Sequence, residues 1–194
     1  SNFNFCKLVA PRRFAAHYLR HISGLIMNIV LCGMMGCGKT TVAAELSRLT
    51  GMEQTDTDAE IVNEYGRIAD IFEKYGEARF REIETQTVAR ISSRDNIIIA
   101  TGGGSGLKSA TVEYLIRNGK IFFLQTRAET LVKRVEGDTE RPLLAGGAEK
   151  RINELLPART PKYLAAADYV VDTDGAEPEE IALKIINISG IVRG

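Results

Sequence analysis

The sequence predicts an α/β fold in which one parallel β-sheet carries helices on both faces. Three observations support this. Five β-like runs alternate with helical ones along the 194 residues, the order that builds parallel sheets. Two of the runs, Asn96 to Ala100 and Ile121 to Leu124, are apolar without alternation, as strands covered on both faces are. A glycine-rich turn, Gly33-Met34-Met35-Gly36-Cys37-Gly38-Lys39-Thr40, joins the first strand to the first helix.

Asn28 to Cys32 is the first strand. The glycines after it let consecutive backbone N–H groups turn toward an anion, and a helix starting near Lys39 adds the positive end of its dipole. This fixes the ligand class as a nucleotide triphosphate, with Lys39 reaching the outer phosphates and the Thr40 hydroxyl placed for Mg²⁺. The alternative is a glycine-rich turn without a ligand. Thr41 to Leu49 is the helix that supplies the context, and Glu53 to Thr55 is a short, weak strand. Helices follow over Asp58 to Tyr65, Ile68 to Tyr75 and Glu77 to Ser92, then the buried strand at Asn96 to Ala100 and a helix over Ser109 to Asn118. After the strand at Ile121 to Leu124 come a helix over Ala128 to Val135 and another from about Lys150 to Ala166. Tyr169 to Val171 closes the strands. The last helix, Pro178 to Ile188, has proline near its first turn and Glu177, Glu179 and Glu180 beside its positive end. Gly137 to Glu149 lacks periodicity and holds Arg141-Pro142 and Gly146-Gly147, the composition of a mobile surface segment that closes over a ligand.

Composition narrows the function. At 44% hydrophobic residues the chain is globular, and 25 basic residues balance 25 acidic ones, so no overall field draws it to nucleic acid or membrane. A small-molecule partner is expected. Cys6, Cys32 and Cys37 lack metal-ligand spacing and read as thiols of a reducing cytoplasm. No apolar run approaches the roughly twenty residues that cross a bilayer. Residues 1–26 differ in kind: Lys7, Arg12, Arg13 and Arg20 have no acidic companion, and both histidines, His17 and His21, lie there. This segment is read as an upstream extension or a cloning remnant before Met27, rather than a transit peptide, for which its serines are too sparse. Residues 27–194 form one domain, with 21 basic against 25 acidic side chains and no histidine. A general base within it is therefore a carboxylate.

Several clusters carry chemistry. Asp56-Thr57-Asp58 falls at the end of the weak strand, where ligands meet an open α/β sheet. In an extended stretch the two carboxylates share a face, one holding Mg²⁺ through water and the other orienting an acceptor hydroxyl. The competing reading is that Asp58 caps the next helix. Arg81 and Glu84 are three apart on an amphipathic helix, which suits either an exposed ion pair or an arginine clamping a substrate carboxylate. Thr101-Gly102-Gly103-Gly104 follows the buried strand directly, and three glycines there allow backbone to approach a ligand. Arg141, Arg159 and Arg134 each have a plain reading as solvated or helix-end cations.

The phosphate loop, Asp56-Thr57-Asp58, Ile71-Phe72, Gly76-Glu77, Phe80-Arg81 with Glu84, Thr101-Gly102-Gly103-Gly104, Arg141-Pro142-Leu143-Leu144 and Arg159 with Tyr163 stand in the order found in shikimate kinases. The resemblance runs from Met27 onward. It implies a three-layer P-loop kinase fold, like the nucleoside-monophosphate kinases, with five parallel strands and a mobile lid. It also implies the reaction ATP + shikimate giving ADP + shikimate 3-phosphate, a step toward chorismate and the aromatic amino acids. Carried over by motif, Gly36, Cys37, Gly38, Lys39, Thr40 and Thr41 bind the nucleotide, Thr40 and Asp56 hold Mg²⁺, and Arg134 lies against adenine. Asp58, Arg81, Gly103, Gly104 and Arg159 bind shikimate, and Lys39, Asp58 and Arg141 serve transfer. The resemblance leaves residues 1–26 without a counterpart, and Gln54 and Thr55 are more polar than the pair usual before the first aspartate. A monomer is expected. The nearest rival is a kinase of another small metabolite such as gluconate; Arg81 with Arg159 suits an anionic acceptor. A nucleotide-dependent switch is the rival from another class, and no Asn-Lys-x-Asp guanine-reading signature supports it.

Overall fold

The five residues of β2 (Asn28–Cys32) are all buried, and alternate side chains enter opposite cores. Ile29 and Leu31 pack with Val42 and Leu46, whereas Val30 and Cys32 pack with Val88 and Ile91. A strand covered on both faces needs apolar residues at every position, which the unbroken runs provide. The computed structural model describes residues 27–103, 109–135 and 147–190, with the backbone alone of residues 6–8.

In chain order the elements are β1 (Cys6–Leu8), β2, α1 (Lys39–Thr50), β3 (Glu53–Asp56), α2 (Thr57–Tyr65), α3 (Ile68–Ser92), β4 (Ile97–Ala100), α4 (Ser109–Asn118), β5 (Gly119–Gln125), α5 (Ala128–Val135), α6 (Ala148–Ala166), β6 (Tyr169–Asp172) and α7 (Pro178–Ser189). The sheet order is β1-β6-β5-β2-β4-β3, and all neighbours are parallel except the β1–β6 pair. β2 lies at the centre, so the strand order reverses about it. The crevice outside the carboxyl ends of β2 and β4 is where such sheets bind ligands.

The five parallel strands match expectation, and the sixth does not. Cys6–Leu8, expected to lie outside the fold, pairs antiparallel with β6, with Cys6 opposite Val171 and Leu8 opposite Tyr169. The outer margin of β6 offers N–H and C=O groups that a short strand can take up. The weak strand is also explained. β3 is the opposite margin of the sheet, and its Glu53 and Gln54 are exposed, so polar residues cost nothing there. Asn96 adopts φ 58 and stays out of β4, which therefore starts one residue later than expected.

The break between the two expected helices at Ile68 to Tyr75 and Glu77 to Ser92 is real: Gly76 (φ 77, ψ 174) kinks α3. Residues 137–149, expected as a lid, lie outside the described residues as far as residue 146. The remainder is a correction, because Ala148 and Glu149 are already helical in α6. Glu149 in that first turn complements the positive helix end. In α7, Glu177 and Glu180 form a reciprocal capping box with Pro178 in the first turn.

Two cores fill the faces of the sheet. α1, α5 and α7 cover one and α3 and α4 the other, α6 packs Ile152 into the first and Tyr163 into the second, and Phe122 and Phe123 point to opposite sides. A smaller cluster of Ile61, Ile71, Phe80 and Ile83 joins α2 to α3 and holds the acceptor-side helices together. At the amino ends of the strands, buried Asn28 accepts from Ile97 N–H through Oδ1 (3.0 Å) and donates from Nδ2 to Arg94 O (2.7 Å). Asp168 likewise accepts from Ile121 N–H (2.8 Å).

Candidate active site

The turn after β2 closes tightly on itself and on its neighbours. A Cβ on Gly33 would fall 2.8 Å from both Cys37 Sγ and Leu124 O, and one on Gly36 would fall 2.7 Å from Val135 Cγ1. Both glycines also have positive φ (148° and 79°), so another residue would be strained at either position and at Gly33 would also crowd the Leu124 backbone. Lys39 Nζ donates to Gly33 O (3.0 Å) and Met34 O (3.2 Å) and lies 3.8 Å from Cys37 Sγ. Its ammonium is thereby held over the turn and not released to solvent. Cys37 is buried, whereas Thr40 and Thr41 are exposed in the first turn of α1. Gly38 precedes that turn as a left-handed cap without a side chain, leaving the first backbone N–H groups of the helix open to an anion. Arg134 reaches the back of the turn, donating from Nη1 to Gly36 O (3.5 Å) and from Nη2 to Thr173 O (3.4 Å).

Asp56 and Asp58 differ from the expected arrangement in one respect. Only Asp56 belongs to the strand, so the two carboxylates do not share the face of an extended stretch. Thr57 opens α2, and Asp56 caps it by accepting from Asp58 N–H (2.8 Å) and Ala59 N–H (3.3 Å). The capping role weighed for Asp58 thus falls to Asp56. Asp58 is left in the first turn with its carboxylate against the glycine run after β4. A Cβ on Gly102 would lie 2.7 Å from Asp58 Cγ. Burial raises the Asp58 pKa to about 6, Asp56 and Glu84 push the same way, and Lys39 and Arg81 oppose them. Asp58 therefore sits within the fields of the phosphate-loop lysine and the α3 arginine together.

Arg81 pairs with Glu84 (Nη1 to Oε2, 2.9 Å) and with Glu77 (Nη2 to Oε1, 3.2 Å). Glu84 is 2% exposed, so the pair is not the solvated one that the spacing allowed. The guanidinium also lies over the Phe80 ring at 5.2 Å. On the other side of the glycine run, Arg159 Nη1 lies 3.9 Å from Met34 Sδ and 3.5 Å from the position of a Cβ on Gly103. Tyr163, one turn further along α6, donates to Gly103 O (2.6 Å). Arg159 thus lies beside Gly103 and Asp58 against Gly102, while the charge of Arg81 acts on the Asp58 carboxylate from α3. Gly104 and Arg141 lie outside the described residues.

Sequence reasoning gave roles to Gly103 and Gly104, yet the glycine that Asp58 demands is Gly102. A third glycine in the run was the available signal. Thr57 and Tyr163 stood in the quoted motifs without a role, because hydroxyl–backbone bonds between distant segments leave no trace in spacing. Gly102→Ala should drive Asp58 from its place and lower kcat/KM for the acceptor by about 10²-fold, the cost of a misplacement near 1 Å. Steady-state kinetics should show the KM for nucleotide unchanged.

Oxygen donors dominate the nucleotide end. Thr40 Oγ1 and the Asp56 carboxylate are hard ligands, and among the described residues no group of three or more His, Cys, Asp or Glu side chains could by itself hold a metal. That donor set fits Mg²⁺, which takes one or two protein oxygens and completes its shell from phosphates and water. Among the described residues, no helix is long and apolar enough to cross a membrane.

A phosphate loop on the central strand, with Arg159 beside its Met34 and a buried carboxylate, Asp58, within the fields of its Lys39 and of Arg81, marks an ATP-dependent small-molecule kinase of the P-loop class. The shikimate kinase family model matches residues 35–189, and the chain belongs to that family. It is 44% identical to the shikimate kinase of Caldicellulosiruptor bescii over 163 residues, covering 83% of this chain and 94% of that one. The structure of shikimate kinase from Acinetobacter baumannii in complex with shikimate superposes with a TM-score of 0.79 at 37% identity, covering 84% and 93% of the two chains. That of the Aquifex aeolicus shikimate kinase gives 0.70 at 32% identity, covering 84% and 97%.

Proposed function

We propose that this protein transfers the γ-phosphoryl group of ATP to the 3-hydroxyl of shikimate, giving shikimate 3-phosphate and ADP in the route to chorismate. The observation that carries this reading is the Asp58 carboxylate lying against Gly102 within the field of Arg81, with the Arg159 guanidinium beside the adjoining Gly103. Guanidinium groups near this end of the sheet suit an acceptor bearing a carboxylate, and the Asp58 carboxylate suits its hydroxyls. The phosphoryl group moves by in-line attack of the hydroxyl oxygen on the γ-phosphorus; the bond to the β-phosphate oxygen breaks and ADP leaves. The hydroxyl proton passes to Asp58 late in the step, and Asp58 mainly orients the attacking oxygen.

On the nucleotide side, Lys39 and the backbone of Gly36, Cys37 and Gly38 bind the β- and γ-phosphates, with Thr40 and Thr41 at the helix start. Thr40, and Asp56 through water, would hold Mg²⁺, which when bound neutralises phosphate charge. Arg134 lies against adenine, and Arg141 comes from the lid onto the phosphates. Arg81 and Arg159 bind the shikimate carboxylate, and Gly103 and Gly104 approach its ring. The protein acts as a cytoplasmic monomer and as one catalytic domain over residues 27–194.

A coupled ADP-release assay across shikimate, gluconate and nucleoside monophosphates tests the assignment. Shikimate should exceed the others by at least 10³-fold in kcat/KM, because gluconate and the monophosphates, though anionic, do not present a hydroxyl at a ring-fixed distance from the anion, and a site that hydrogen-bonds specific hydroxyls rejects acceptors that leave its groups unpaired. Preference for gluconate or a nucleotide would overturn it.

A further inference from the structure

The loop that faces the acceptor is tied down at consecutive residues by two hydroxyls from different parts of the chain. Thr57, fully buried, accepts from Gly102 N–H through Oγ1 at 2.7 Å. Tyr163, also fully buried, donates to Gly103 O at 2.6 Å. Behind them, Thr101 is anchored to Leu31 O of β2 by both its N–H and its Oγ1, each at 3.0 Å. Each hydroxyl is the near neighbour of a residue assigned to the acceptor. Thr57 directly precedes Asp58 in the first turn of α2, and Tyr163 stands four residues after Arg159 on the same face of α6. Burial pushes the Tyr163 hydroxyl pKa up, and the nearby Arg159 charge opposes it.

We propose that Thr57 and Tyr163 are positioning residues that hold Asp58 and Arg159 at a fixed separation by clamping both helices to the backbone of Gly102 and Gly103. An acceptor of fixed length between its hydroxyl and its carboxylate needs such a gauge. α2 and α6 are far apart in sequence, and the described contacts with this loop are what bring the carboxylate of one and the guanidinium of the other to a common reference. Because Gly102 has no side chain, the Asp58 carboxylate rests on the loop whose N–H its neighbour binds. Movement of α2 by a fraction of an ångström would then change where Asp58 meets a hydroxyl. Catalysis is steep in such displacements, and neither hydroxyl itself touches the reacting atoms.

The inference rests on the acceptor assignment above, and its test separates the two. The acceptor that ADP release identifies in the unsubstituted enzyme decides the assignment; the ratios among variants with that same acceptor decide the clamp. Thr57→Val removes the acceptor oxygen while keeping the shape, Thr57→Ser keeps the oxygen, and Tyr163→Phe removes the donor on the other side. Val and Phe should each lower acceptor kcat/KM by tenfold or more with the KM for ATP within twofold, and Ser should stay within threefold of the parent. Should Thr57→Val fail to fold, Tyr163→Phe alone carries the same comparison. The clamp is overturned if the folded Val or Phe variant keeps acceptor kcat/KM within threefold. It is equally overturned if the KM for ATP rises in parallel, or if Ser loses as much as Val.

Discussion

Asp58→Asn is expected to abolish phosphoryl transfer while making the metal-free protein more stable. Turnover should fall by about 10²–10⁴-fold, the range for removing a positioned carboxylate from a proton-transfer step, with nucleotide binding nearly unchanged. The stability gain follows from the pKa, raised by burial to about 6 from the ordinary aspartate value of 3.8. The folded protein binds this proton more tightly than the unfolded chain. Ionised Asp58 therefore costs stability above pH 6, and the cost disappears as the pH falls below about 4. At about 1.4 kcal/mol for each unit the cost would be near 3 kcal/mol, and partial exposure of the side chain reduces it to about 1–2 kcal/mol. Thermal unfolding in a chelator should show Asp58→Asn melting about 3–6 °C higher than the parent at pH 7. The two should converge near pH 4. An Asn variant that turns over normally would remove Asp58 from the mechanism, and one no more stable at pH 7 would remove the burial cost.

Arg81→Met should damage both stability and substrate use, and a second change separates the two. Glu84 is almost fully buried against Arg81, so losing the guanidinium strands a carboxylate without its partner. Breaking a buried pair in this way costs about 3–5 kcal/mol. Partial solvation of Arg81, 26% exposed, places the expected loss near 2–3 kcal/mol after discounting for screening. Adding Glu84→Gln removes the stranded charge and should restore most of the melting temperature. It should not restore the acceptor KM, which stays raised by about 10²-fold because a charge-assisted pair of hydrogen bonds to substrate is gone. Recovery of KM in the double variant would show that Arg81 serves only the fold.

Much of this was legible in the chain because the governing patterns are local. The unbroken apolar runs at Ile97–Ala100 and Ile121 to Leu124 announced strands covered on both faces, and Gly76 announced the break in α3. The phosphate loop was legible because glycines at fixed spacing are needed wherever φ is positive and backbone crowds backbone. What spacing concealed was decided by tertiary placement. Asp56, not Asp58, caps α2, since a cap is set by where the strand stops. Arg81 could not be told from a surface ion pair until Glu84 proved buried. The polar character of Gln54 and Thr55 looked like a weak strand and reflects a marginal position in the sheet. The pairing of Cys6–Leu8 with β6 has no local signature, because it depends on an open margin more than 160 residues away.

The polar groups at the amino ends of the strands bear on how reliably the chain finds its fold. With both faces of the sheet apolar, sliding a strand by one residue merely exchanges one greasy set for another, and hydrophobic patterning gives little penalty for the mistake. Asn28, which satisfies a backbone donor on one neighbour and a carbonyl just before it, is met correctly in a single alignment only. Every shifted alignment buries an amide with nothing to bind, and that cost separates the native pairing from its near-degenerate competitors.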